Sequence, residues 1–503
     1  MTIQRRAFSG IVAGGASFLV TLMLTLLQVP LLLRYWGPEL YGTWNTLFAF
    51  YSLLISLETG HQSYLGAIFL QKIRGNREEL KKTLGSGIRI SCVLGVVQLS
   101  LCLVIGGFEL TRFLVGTDTS VISDRELALA LAALVLQWAL AGSIGGTLAK
   151  IFFAGGYYTR AMVWGIGQRI VFTAALCGGA MTTGRILPSA ALVALAITCS
   201  AFLQMMDFKR LFPDLYPWWG KGSWAEGWLN FSRSFLVTIS GAIQQFGTNG
   251  LVLLITHLIN TVAVALFTTL RTLANTAMQA TLIVVQPMLP DLIRYHVAGE
   301  GQKVGSTLAG LWFVSGMIVN LGLAIAIAIA PPFYEYWTRG RLPFDATLFA
   351  LLAIGIQIRN IASPLLIYLY GLNDVSAQMK IAVGQTVGTL ALGAISMSFF
   401  GIQGAGVGVV MGELIAAGFA FHFVGRAVAP VGLTLKLEHL TFSLIGLGLI
   451  ATGYIQNILW PGHAPLTTLI ILISLLVLAG FNWRSLPDAV RTRILSVFRN
   501  PLA

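Results

Sequence analysis

The chain has 503 residues, 56% of them hydrophobic and only 10% charged, with a net charge of +13 from 32 Lys plus Arg against 19 Asp plus Glu. A soluble chain this long would divide into domains with charged surfaces, and there are too few charges to coat them. That excludes a soluble enzyme, a disordered chain, a nucleic-acid binder and a secreted protein as main readings; in so apolar a chain the positive excess reads as basic loops held on the cytoplasmic side.

Arg5 and Arg6 precede an apolar run from Gly10 to Leu33. The run is longer than the hydrophobic part of a signal peptide and no small-residue cleavage site follows, so it reads as a retained first helix. Apolar runs of membrane-crossing length then recur at 10–33, 43–66, 83–107, 128–150, 161–183, 188–206, 234–258, 262–286, 306–332, 347–370, 379–400, 406–424, 440–459 and 466–481. Each is about the ~20 residues that cross a bilayer as a helix, predicting an all-α polytopic membrane protein with about fourteen transmembrane helices. Pro30 weakens the backbone bonding near the end of span one and predicts a bend there.

The loops carry the orientation. With the N-terminus inside, inner segments hold 22 of the 32 basic residues, including Lys72, Arg74, Arg77, Lys81, Lys82, Lys209, Arg210, Lys221 and the tail set Arg484, Arg491, Arg493 and Arg499. Outer loops hold six: Arg34, Arg112, Arg125, Arg185, Arg339 and Arg341. This split predicts that both termini are cytoplasmic. Outer loops are short, the longest at 108–126, and no soluble domain is inserted. Cys92, Cys102, Cys177 and Cys199 all lie in apolar segments without a CxxC pair, so neither a disulfide framework nor a zinc site is expected.

The inner connection 207–233 carries Trp218, Trp219, Trp224 and Trp228 among Lys221 and Arg233. It reads as a helix lying in the inner interface, or as an ordinary interfacial loop. It divides the chain into 1–206, an N-lobe of spans one to six; 207–233, the linker; 234–424, a C-lobe of spans seven to twelve; and 425–503, spans thirteen and fourteen with a basic cytoplasmic tail. AGGYYTRAMVWGIGQ after span four and GLNDVSAQMKIAVGQ after span ten align Met162, Gly167 and Gln168 with Met379, Gly384 and Gln385 at one constant offset. That agrees with a parallel six-plus-six repeat.

Arg169, Arg271 and Arg359 fall near the middle of spans five, eight and ten. A central Arg costs ~2.5–3.5 kcal/mol to insert, so such residues face a wet cavity or a structural partner. Arg89, nearer the inner end of span three, lines the cavity or snorkels to the cytoplasm. Glu58 and Glu413 are the acids within spans. Either can carry a coupling ion or serve as counter-ion to an arginine. Four cations against two acids favour an anionic substrate. Polar stripes at helical spacing run along span one (Ser17, Thr21, Thr25, Gln28), span seven (Ser240, Gln244, Thr248) and span eight (Thr268, Arg271, Asn275, Gln279). They read as cavity lining, with close helix packing as the plainer alternative. The expected substrate contacts are thus Arg271, Arg359, Arg169, Arg89, Asn275, Gln28 and Gln244, and the expected ion-coupling residues Glu58 and Glu413.

No GxxxxGK[ST], HExxH or GxSxG occurs, so a secondary transporter is expected rather than an enzyme. No metal and no cofactor are expected, beyond coupling to H+ or Na+.

The stretch VPLLLRYWGPELYGTWNTLFAFYSLLISLETG, Val29 to Gly60, resembles the start of bacterial polysaccharide-biosynthesis transporters, the Wzx-type O-antigen flippases of the MOP superfamily, related to MATE exporters. The resembling features are the proline ending span one, an outer RYWGPELYG loop and the acid-Thr-Gly in span two. The span count and basic first inner loop extend the likeness along the chain. The resemblance implies two six-helix MATE-like lobes in a V around a cationic cavity, with spans thirteen and fourteen appended. It implies transfer of an undecaprenyl-diphosphate-linked oligosaccharide, an O-antigen or exopolysaccharide (lipopolysaccharide-type) repeat unit, across the bacterial inner membrane by ion-coupled alternating access. Glycosyltransferases and a polysaccharide polymerase are the expected protein partners. A MATE-type exporter of drugs or metabolites, and a non-transporting component of a glycan assembly complex, are the alternatives.

Overall fold

The computed structural model describes residues 3–73, 75–111, 122–285, 288–432, 440–486 and 491. Arg74, Arg112, Arg493, Arg499, most of the 108–126 loop and nearly all of the basic tail lie outside the described residues. In chain order the helices are α1 (Ile3–Lys72), α2 (Arg77–Gly107), α3 (Asp124–Gln137), α4 (Ser143–Ala154), α5 (Tyr158–Thr183), α6 (Ile186–Leu211), α7 (Trp224–Leu258), α8 (Thr261–Val285), α9 (Leu289–Val297), α10 (Gly301–Thr338), α11 (Ala346–Gly371), α12 (Val375–Val387), α13 (Gly393–Phe400), α14 (Ile402–Val428), α15 (Thr441–Leu459) and α16 (Ala464–Ser485). The described residues contain no strand. Each of the fourteen expected spans falls on a helix. Eleven helical stretches among the described residues are long and apolar enough to cross a membrane, and one of them, Ser17–Lys72, has 56 residues and therefore length for two crossings. The remaining two spans are α7 and α8, whose polar stripes lower their mean hydropathy.

Spans one and two meet without the expected outer loop. The RYWGPELYG stretch is helical except at Gly37, where φ is 74° and ψ 176°. Only glycine adopts that conformation cheaply, and Pro38 behind it has the fixed φ that opens a helix. The break therefore sits at Gly37–Pro38, and Pro30 lies inside the helix before it.

The chain groups into two compact units, Leu19–Ala265 and Met1–Phe18 with Leu266–Ala503. In the first, Leu65, Phe69, Leu84, Phe152, Phe208 and Trp218 form a buried core. Trp218 thus belongs to the protein interior. Residues 207–211 end α6, a short 3-10 turn, Pro213–Leu215, follows, and α7 starts at Trp224. The turn and the segment after it are strapped onto α2. Lys81 Nζ donates to the Asp214 and Tyr216 carbonyls at 3.2 and 2.9 Å. Arg77 pairs with Asp214 at 3.6 Å, and Lys221 pairs with Glu78. Glu226 on the first turn of α7 collects Lys72, Lys82 and the Thr83 hydroxyl at 3.9, 3.8 and 2.6 Å. Trp219, Trp224 and Trp228 remain exposed.

In the second unit, α10 contains Pro331 and Pro332. Pro331 has no N–H for the carbonyl four residues earlier, that of Ile327. Asn457 of α15 donates to that carbonyl at 3.4 Å, and Tyr454 donates to the Leu323 carbonyl at 3.0 Å. Span thirteen is therefore bonded to the main chain of span nine. Gly446 makes room there: a Cβ on it would overlap the Asn320 side chain.

The turns that enter spans five and eleven are duplicates. Gly155, Gly156 and Tyr157 N–H groups bond to the carbonyls of Ile151, Phe153 and Phe152. Leu372, Asn373 and Asp374 bond to Tyr368, Tyr370 and Leu369. Every donor and acceptor matches at the offset that aligns Met162 with Met379, including the left-handed Gly156 (φ 84°) and Asn373 (φ 56°).

Candidate functional site: a cavity beside Glu58 and an arginine pair beside Glu413

In the unit Leu19–Ala265, span four is interrupted by a π-turn, Trp138–Gly142, between α3 and α4. Its i→i+5 bond, Ser143 N to Trp138 O, brings residues 138 and 143 toward one face, which a regular α-helix would separate. Both meet the buried carboxylate of Glu58. Trp138 Nε1 donates to Oε2 at 2.7 Å, the Ser143 hydroxyl donates to Oε1, and Gln62 Nε2 donates to Oε1 at 3.3 Å. Gln62 also donates to the Ser143 carbonyl at 3.0 Å, closing a ring of neutral donors around the acid. The described residues give Glu58 no ion pair.

Trp138 is also a wall of a cavity of about 590 Å³ inside the same unit. Gln28 and Arg169 line it, as do Thr21 and Thr25 from the expected span-one stripe. Arg169 is exposed and donates to the Thr21 hydroxyl. Gln137, Gln168 and Gln204 complete a set of amides, with Gln168 Nε2 donating to Gln204 Oε1 at 2.9 Å. Among the described residues the lining contains no Asp or Glu. Sequence reading passed over Gln137, Trp138 and Gln204. An isolated amide in an apolar span is the signal that would have marked the two glutamines.

In the other unit, α14 carries Gly404, Gly408 and Gly412 at one-turn spacing against span eleven. A Cβ on Gly408 would fall 2.6 Å from the Thr389 carbonyl oxygen, so the close approach needs glycine. That approach seats Glu413 beside Gln385, whose Nε2 donates to Oε1 at 3.0 Å. Arg359 Nη1 lies 3.9 Å from the same oxygen, with its side chain 54% exposed against 10% for Glu413. Arg271 stacks its guanidinium 5.1 Å from the Phe267 ring centre and feels the charge of Arg359. Asn275, one turn on, is half-buried. Arg271 and Arg359 thus lie in the same unit as the acid Glu413.

Two expected contacts lie elsewhere. Arg89 sits 5.6 Å over the Trp224 ring at the end of span three that carries the strapped segment. Gln244 is exposed on α7. Neither lines the cavity.

No family model matches the sequence, and no curated protein matches it. Solved structures do. A multidrug resistance MATE family transporter of the MOP superfamily, in an inward-facing conformation, aligns with a TM-score of 0.64 at 13% identity, covering 87% of this chain and 97% of its own. Lipid II flippase MurJ, inward closed, aligns with a TM-score of 0.64 at 13% identity, covering 94% of this chain and 98% of its own. A MOP superfamily transporter from Pyrococcus furiosus, whose binding pocket is described as reversed in polarity, aligns at 0.61 and 13%, covering 86% and 100%. The chain therefore has the fold of MOP superfamily transporters, which MATE exporters and a lipid-linked flippase share, and is a multi-pass membrane protein. At this identity the likeness carries the fold alone.

Proposed function

We propose that the chain is a flippase that moves an undecaprenyl-diphosphate-linked oligosaccharide, an O-antigen or exopolysaccharide repeat unit, from the inner to the outer leaflet by ion-coupled alternating access. The observation that supports this reading is Arg359 beside Glu413, with Arg271 on the polar stripe of α8 in the same unit. A diphosphate offers oxygens that match two guanidinium forks, whereas an exporter of cationic drugs calls for acids in that place. The likeness to a lipid II flippase is consistent with a lipid-linked cargo. Glu58 or Glu413 carries the coupling H+ or Na+. The protein resides in the bacterial inner membrane with both termini cytoplasmic, beside glycosyltransferases and a polymerase that make and use its cargo.

Reconstituted vesicles test the function. Flipping of a fluorescent lipid-linked oligosaccharide should follow an imposed H+ or Na+ gradient without ATP; flipping that needs ATP, or that ignores both gradients, sinks the proposal. Orientation is tested separately by cysteine labelling at Asn76, which should be reached from the inside only. A MATE-type exporter is the second reading, supported by the equal TM-score of the MATE neighbour; drug-driven rather than glycan-driven transport in the same vesicles would select it.

A further inference from the structure

The cavity inside the unit Leu19–Ala265 has a chemistry of its own, distinct from that of the arginine pair. Its wall presents four primary amides, Gln28, Gln137, Gln168 and Gln204, each able to donate and accept. Aromatic rings of Tyr51 and Trp138 stand among them. One cation, Arg169, is exposed on the wall, and its guanidinium meets a hydroxyl rather than an acid. Among the described residues no carboxylate lines the space.

Each feature removes a class of ligand. An apolar cation has no opposite charge to meet. A bare phosphate or diphosphate would use Arg169 and leave four amides and the aromatic faces idle. A purely apolar chain would leave the Gln28 and Gln137 amides, which the Gln168–Gln204 bond does not satisfy, without partners, which is costly. What uses all of them is a polyhydroxylated ring with apolar faces and a single negative group. Amides bond its hydroxyls in both senses, aromatic faces cover its C–H faces, and the guanidinium takes the anionic group. The volume, about 590 Å³, lies inside the ~300–1,000 Å³ range of small-molecule sites.

We infer that this cavity is a sugar subsite for a pyranose bearing one anionic group, a phosphate or a carboxylate, with Arg169 selecting the charge and Gln28, Gln168 and Gln204 reading hydroxyls. This rests on the flippase reading for its biological meaning and assigns the glycan end of the cargo to this cavity.

The test is saturation-transfer NMR on the full chain in nanodiscs, with glucose 1-phosphate, glucuronic acid, maltose, inorganic phosphate and tetraphenylphosphonium as probes. Both charged sugars should bind, and at least one should bind roughly tenfold better than maltose or phosphate, the difference that a charge-assisted bond supplies. Preference for glucose 1-phosphate assigns the charge to a sugar phosphate; preference for glucuronic acid assigns it to a uronic acid. Arg169→Gln should reduce the charged sugars to the level of maltose, and Arg169→Lys should recover part of the difference. Gln28→Leu should weaken charged and neutral sugars alike. The inference is overturned if phosphate alone binds as well as the sugar phosphate, if tetraphenylphosphonium is the better ligand, or if no sugar binds to folded protein. Absent sugar binding with intact flipping of a lipid-linked substrate removes the subsite and leaves the flippase; sugar binding without flipping supports the subsite and removes the flippase.

Discussion

Glu58 and Glu413 are both buried acids in membrane-spanning helices, and they are held in opposite ways. Glu58 is ringed by an indole N–H, a hydroxyl and an amide, all neutral. Glu413 has one amide and a half-exposed guanidinium. A carboxyl among neutral donors can change its charge without breaking an ion pair, so its neighbours report the change directly: the π-turn that carries Trp138 and Ser143. A carboxyl paired with Arg359 cannot change charge without altering the field at Arg359 and, through it, at Arg271. The first arrangement suits a group that gains and loses an ion. The second suits a group that sets how positive a binding place is.

The largest expected effect follows from the second arrangement. Arg271→Ala should abolish export of surface polysaccharide with membrane abundance near normal, and Arg271→Lys should restore it in part, because Lys meets a diphosphate only as a point charge. Loss of the protein together with loss of export would make Arg271 structural. Next, Glu58→Gln keeps the shape and one acceptor oxygen, sets an NH2 against one of the surrounding donors, and fixes the charge at zero. It should uncouple transport from the imposed gradient in vesicles while downhill exchange persists. Retained gradient dependence in Glu58→Gln and its loss in Glu413→Gln would reverse the two assignments.

Smaller effects sharpen the contrast. A double-mutant cycle on Arg359 and Glu413 should return a coupling below about 1 kcal/mol, because one partner is half in solvent. A coupling of several kcal/mol in thermal unfolding would make the pair structural. Gly37→Ala should lower stability by about 1–2 kcal/mol, read as a fall in the melting temperature of detergent-purified protein, because the side chain strains the positive φ that joins spans one and two.

Much of this was legible in the sequence because apolar length and period speak directly of helices. A helix stands at each of the fourteen apolar runs, eleven stretches being apolar and long enough to cross a membrane, and the Met162/Met379 offset marks a turn duplicated bond for bond. What was not legible depends on contacts. The RYWGPELYG stretch has a loop's composition, yet one glycine at φ 74° does the turning. The tryptophans of 207–233 look interfacial, yet Trp218 is claimed by Phe208 at 6.0 Å in a core that no local pattern announces. Gln28 and Arg169 were found because each is polar in an apolar span. Their meeting with Gln168 and Gln204 was hidden because it joins spans one, five and six. Arg89 was left between cavity and snorkel, and Trp224 now stands beside it. The π-turns within spans four and eleven had no sequence mark at all.

The bond from Asn457 to the Ile327 carbonyl also has a consequence in time. The two residues are 130 positions apart, and the donor is made last. At ~5–20 residues per second of synthesis, span nine emerges roughly 6–26 s before the side chain that answers its proline. During that interval the ribosome is still making spans ten to twelve, and the carbonyl has only lipid, water or a passing helix to meet. A nascent chain released before span thirteen is finished would keep that wound open, which makes it a ready mark for the proteases and insertases that survey unfinished membrane proteins.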